Sequence, residues 1–151
     1  MNSTTFLDVL DRAKTLLESD AALAAFCQEK WEKALTAEIG YRSRREIAFS
    51  ELPLVLITRP QVSDRWAPAK NVEQSRQEMR LYAGFQNPDR TAGTRELIAF
   101  EEKIEDALTK GNPFSDLALE AAVMDSVNDE GVISPAFFLV MQVSVLYRRK
   151  T

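Results

Sequence analysis

Hydrophobic positions recur along this chain at two spacings, near 3.6 and at 2, and the final stretch shows the second most clearly. In Pro135 to Lys150, PAFFLVMQVSVLYRRK, the residues Phe137, Leu139, Met141, Val143, Val145 and Tyr147 share one face of an extended chain. Phe138, Val140, Gln142, Ser144, Leu146 and Arg148 share the other. The first face is wholly apolar, whereas the second begins apolar and becomes polar. A strand here therefore needs helices along one side and cover over only the first half of the other. Left bare, such a strand would be an aggregation hazard.

The remaining chain supplies the partners. Phe6, Val9, Leu10, Ala13, Leu16 and Leu17 recur at helical spacing behind Thr5 and Asp8, which are placed as a capping box, and predict a helix over 5–18. Ser19 and Asp20 break and re-cap the chain, and a second helix is predicted over Ala21 to Lys33 with Leu23, Phe26, Cys27 and Ala34 as its apolar stripe. From Leu35 to Phe49 the pattern is mixed and reads as a weak edge hairpin or an irregular arm. Leu52 to Ile57, LPLVLI, is a short buried strand with Pro53 at its start. A long polar loop follows over Arg59 to Gln77, and loops of that length are usually functional or disordered. Met79, Leu81, Ala83 and Phe85 then alternate with polar or small residues and predict a strand over Glu78 to Phe85. Thr94 is placed to cap a helix running to Lys110 with Leu97, Ile98, Phe100, Ile104, Ala107 and Leu108 inward, stopped by Gly111, Asn112 and Pro113. Leu119 to Val127 is a strand, Asn128 to Gly131 a turn, and the terminal strand its hairpin partner.

These elements predict an α+β fold, a mainly antiparallel sheet of about four strands with helices packed on one face. With 151 residues, 45% of them hydrophobic, the chain has material for one core. The expectation is a single domain over 1–151, with N-terminal helices in 5–33 and a sheet-and-helix core in 51–149.

Charge and composition narrow the chemistry. A net charge of -4 and a pI near 5.0 argue against a general nucleic-acid-binding surface. The N-terminus lacks the basic-then-apolar pattern of a secretory signal, and no segment approaches the roughly 18 apolar residues that span a bilayer, so a soluble protein without a membrane partner is expected. Cys27, the single cysteine, excludes an intramolecular disulfide framework and reads as a small core residue. There is no histidine, which removes the commonest general base and zinc ligand. The 5 glycines spell neither a P-loop nor a dinucleotide fingerprint. Glu101, Glu102, Glu105 and Asp106 form the one cluster with acid–base or cation-binding potential, but their helical spacing reads better as a solvated helix face. Asp125, Asn128, Asp129 and Glu130 lack the ligand alternation of a calcium loop and read as a polar turn. No catalytic residue, metal ligand or cofactor site is therefore predicted, and no enzyme activity.

What remains is a candidate protein interface. Arg and Trp are enriched at interface hot spots, and Arg42, Arg44 and Arg45 cluster in the mixed segment while Arg65 and Trp66 lie in the long polar loop. Arg148 and Arg149 end the terminal strand and complete the set.

Three stretches resemble the tail terminator, or tail completion, proteins of long-tailed bacteriophages and prophages. An N-terminal amphipathic helix leads to ELPLVLI at Glu51 to Ile57; a polar loop precedes EMRLYAGF at Glu78 to Phe85 and the helix ELIAFEEKIEDAL at Glu96 to Leu108; and a hairpin ends in VLYRR at Val145 to Arg149. The resemblance implies a non-enzymatic subunit of a homo-oligomeric, hexameric ring that ends tail-tube polymerisation and presents a head-joining surface. Its implied partners are copies of itself, the tail-tube protein and a head-connector protein. Its implied location is the virion tail, and the host cytoplasm during assembly. A head–tail connector or neck subunit, a non-phage α+β adaptor and an enzyme using the carboxylate cluster are the competing readings.

Overall fold

The structure is a computed structural model that describes residues 5–60, 74–115 and 117–148, with the backbone alone described at 74, 75, 119 and 148. Two helices, α1 (Phe6–Ser19) and α2 (Ala21–Trp31), lead to a short strand β1 (Thr36–Ile39). An arm with two 3-10 turns, Arg44–Glu46 and Phe49–Glu51, connects it to β2 (Leu54–Thr58). Then come β3 (Gln74–Gln86), α3 (Arg90–Thr109), β4 (Ala118–Asn128) and β5 (Ala136–Arg148). The strands form one five-stranded sheet in the order β1-β2-β3-β5-β4. Every pairing is antiparallel except β1 with β2. The α+β class and the mainly antiparallel sheet are as the periodicities predict.

Local chemistry sets the element ends. Thr5 and Asp8 form the expected capping box, with the Asp8 N–H donating to Thr5 Oγ1 at 3.2 Å and the Thr5 N–H donating to Asp8 Oδ2 at 2.8 Å. Asp20 caps α2 by accepting from the Leu23 N–H at 2.9 Å. That helix stops at Trp31, two residues before the expected end, because Glu32 adopts a left-handed conformation. The helix α3 begins earlier than expected. Asp89, rather than Thr94, is its N-cap and accepts from the Thr91 and Ala92 N–H groups at 2.9 and 3.2 Å.

The segment after Leu35 holds a fifth strand rather than an edge hairpin. The strand β1 runs parallel to β2, with Ala37 opposite Val55, and ends at Gly40, whose φ of 123° is open to glycine and strained for other residues. Parallel neighbours need a crossover, and the 40–53 arm supplies it by passing over the second sheet face. The strand β3 also starts before the expected boundary, so Arg76 and Gln77 lie in the sheet rather than in a loop. Gln77 is buried there because its Nε2 donates to Tyr147 Oη at 2.9 Å.

Three helices cover the first sheet face. All six first-face residues of β5, from Phe137 to Tyr147, are at most 2% exposed and pack with Met79, Leu81, Ala83 and Phe85 of β3 and with the inner stripes of α1, α2 and α3. Ile98 departs from the expected stripe and points outward, 56% exposed. The second face has a smaller core of Leu52, Leu54, Leu56, Ala136 and Phe138, with Ile47 and Tyr82 packed against it. Cover over the first half of that face alone is what the polar turn of β5 predicts.

Candidate protein interface

The second sheet face holds most of the described candidate residues. Arg42, at the root of the arm, donates from Nη1 to Glu51 Oε1 at 2.9 Å and lies 3.4 Å from Glu38 Oε2. Glu51 is held below the usual carboxylate range, first by the Ala48 N–H donating to its Oε2 at 2.8 Å and then by Arg42. Arg44 sits with its guanidinium carbon 5.1 Å from the Phe138 ring centroid and Nη1 3.6 Å from Asp129 Oδ2. Both arginines thus fasten the arm to its own sheet. Arg45, the next residue, is exposed and makes no ion pair among the described residues.

Beneath the arm lies a cavity of about 140 Å³, lined by Tyr41, Ile47, Leu52, Tyr82, Phe138 and Val140 among others. Tyr41 is exposed and tilts against Tyr82 with ring centroids 4.9 Å apart. Gly84 is needed under the arm, since a Cβ there would come within 2.7 Å of the Phe138 ring.

Beyond the arm the second face is polar. Arg76 donates to Ser144 Oγ at 3.0 Å and lies 3.5 Å from Glu120 Oε2. Gln142 lies between the oppositely charged Glu78 and Arg80, and the amide orientation that satisfies both donates to Glu78 Oε2 at 3.0 Å and accepts from Arg80 Nη2 at 3.1 Å. The ladder's signal in the sequence is Arg76, Glu78 and Arg80 at every second position, on the face of β3 opposite its apolar one.

Arg148 closes β5 opposite Gln74, and its side chain, like Arg65, Trp66 and Arg149 as whole residues, lies outside the described residues. The structure therefore places Arg42 and Arg44 in one arm over the second sheet face.

The chemistry elsewhere is sparse. Burial pushes the Cys27 thiol up to about 12, a poor setting for thiolate chemistry. Glu101 is raised by burial first and by Glu105 and Glu102 after it. Among the described residues no three His, Cys, Asp or Glu side chains converge to hold a metal. No described helix is long and apolar enough to cross a membrane.

A further polar contact, besides Gln77 with Tyr147, lies in the core. Glu96 accepts from Trp31 Nε1 at 2.8 Å and from Asn87 Nδ2 through its other oxygen. Trp31 stacks on Phe85 at 4.6 Å and meets Phe100 edge-on at 5.0 Å, so this carboxylate closes an aromatic cluster.

No family model and no curated protein matches the sequence. Among solved structures, the fold is similar to that of a chain in the virion of a native gene transfer agent particle, with a TM-score of 0.61 and 14% sequence identity. The similarity spans 93% of this chain and 94% of that one.

Proposed function

We propose that this protein is a structural subunit of a phage-like particle and that it acts as a tail terminator. In this role a ring of six copies stops tail-tube growth and offers its outer side to a head-connector protein. The observation that carries the reading is the similarity of fold, over 93% of the chain, to a component of a gene transfer agent virion. The second sheet face agrees with it. Half of that face is covered by the chain's own arm and half is a charged ladder open to a neighbour. Interfaces of assembled particles combine such polar surface with aromatic and arginine contacts, and Tyr41, Arg45, Arg65 and Trp66 are the proposed contacts here.

The test is co-expression with a tail-tube protein from the same genome. Native mass spectrometry should give a hexamer, and electron microscopy should show rings capping tubes of finite length. A chain that stays monomeric and leaves tube length unchanged sinks the terminator role. Binding to a portal-side protein instead of the tube would make it a neck subunit.

A further inference from the structure

The cavity beneath the arm is walled mainly by apolar and aromatic side chains. Tyr82, Phe138 and Val140 line it from the second sheet face, where the register sets Tyr82 against Val140 and Gly84 against Phe138. Ile47 and Leu52 line it from the arm. Tyr41 belongs to the same lining and is 61% exposed, so it marks the mouth. A volume of about 140 Å³ is room for one small ring. An apolar cavity of about 150 Å³ stays dry and takes up benzene.

Charge decides which small molecule suits it. Arg42 and Arg44 are the charged residues of the lining, and they already lie near three carboxylates, those of Glu38, Glu51 and Asp129. An entering anion would add a fourth negative charge beside two positive ones and would have to shed its water. A saturated hydrocarbon would fill the space but do nothing for Arg42. Its Nε and Nη2 are enclosed and make no hydrogen bond, and Nη2 keeps only its 3.4 Å approach to Glu38. The face of an uncharged ring offers such a guanidinium negative potential without a net charge. Tyr82 and Phe138 add aromatic neighbours, which favour a ring over an alkyl group of equal size.

The geometry points to a binding site for one uncharged aromatic ring of about phenol's size, held between the arm and the second sheet face. A free phenol and a tyrosine side chain of another protein carry the same ring, and the test separates them. The site goes beyond the tail role and does not depend on it.

The probe is phenol, titrated into the full chain labelled with 15N. Shifts should saturate and centre on the amides of 41–47, 82–84 and 138–140. Cyclohexanol has the same hydroxyl and nearly the same size but no aromatic face, and should bind about three- to fivefold more weakly. Benzoate should bind at least about tenfold more weakly than phenol, because its charge must be dehydrated beside Glu38 and Glu51. Val140→Phe places a ring of the chain's own in the space and should weaken phenol binding at least about tenfold. A blocked tripeptide, GYG, that gives the same shifts assigns the site to a protein side chain. Phenol binding without it assigns the site to a free small molecule, and either result supports the ring site. Absence of saturable shifts, equal binding of cyclohexanol, tighter binding of benzoate, or unchanged affinity in folded Val140→Phe would each overturn the inference. Should that variant fail to fold, the comparison of phenol, cyclohexanol and benzoate on the parent chain still decides.

Discussion

Glu96 is the polar side chain on which the helical side of the core most depends, because one carboxylate satisfies both the Trp31 indole and the Asn87 amide. Glu96→Ala removes the acceptor of two part-buried donors, and urea denaturation should show a loss of about 1–3 kcal/mol. A midpoint equal to that of the parent would mean that water replaces the carboxylate freely. Glu101 behaves in the opposite sense. Burial and two neighbouring acids raise its pKa, so its charged form is disfavoured in the folded state. The resulting destabilisation is present above the folded pKa and is relieved as pH falls through it. Glu101→Gln should therefore stabilise the protein at neutral pH, with the advantage shrinking on acidification as the native carboxyl becomes neutral too. An advantage that grows as pH falls would contradict this account.

At the scale of elements, the seat of α3 on the sheet is set by a glycine in the helix interior, where glycine is ordinarily unfavourable. Gly93 lies inside the helix, where a Cβ would come within 2.3 Å of the Phe137 ring. Alanine ordinarily improves a helix interior by about 1 kcal/mol, but overpacking against a ring costs about 1–3 kcal/mol. Gly93→Ala is expected to lower stability in a denaturant melt. In a Phe137→Leu background the same change should become neutral or stabilising, because space replaces the clash. A loss of equal size in both backgrounds would assign the effect elsewhere. Asp89 caps the same helix four residues before Gly93, accepting from the Thr91 and Ala92 N–H groups.

Across the whole molecule, the two sheet faces are held by different means. Helices and large apolar side chains close the first, whereas the arm on the second relies on a five-residue apolar cluster and on Arg42 and Arg44. The arm should therefore open more readily than the core. Arg44→Ala removes the contact to Phe138 and the approach to Asp129, and hydrogen exchange over 44–52 should quicken by about two- to five-fold, as expected for an exposed cation–π contact. Exchange in β3 and β5 should not change. If both regions quicken together, the arm and the sheet unfold as one unit.

Alternation in 78–85 and 137–147 and the 3.6 spacing in 6–17 and 97–108 determined by themselves the strands, the main helices, the buried face and the α+β class. Those patterns are local, because one side of each element must leave water whatever its neighbour is. The parallel placement of β1, the pairing of Arg42 and Arg44 with the chain's own carboxylates, the Trp31 to Glu96 contact and the bare β4 edge depend on residues up to 85 positions apart (Arg44 and Asp129) and were decided only by tertiary structure. A cluster of arginines reads the same in sequence whether its charges meet a partner or the chain's own carboxylates. Only folding brings Glu51, Phe138 and Asp129 to it, and only then does Arg45 stand apart as the one with no ion pair among the described residues.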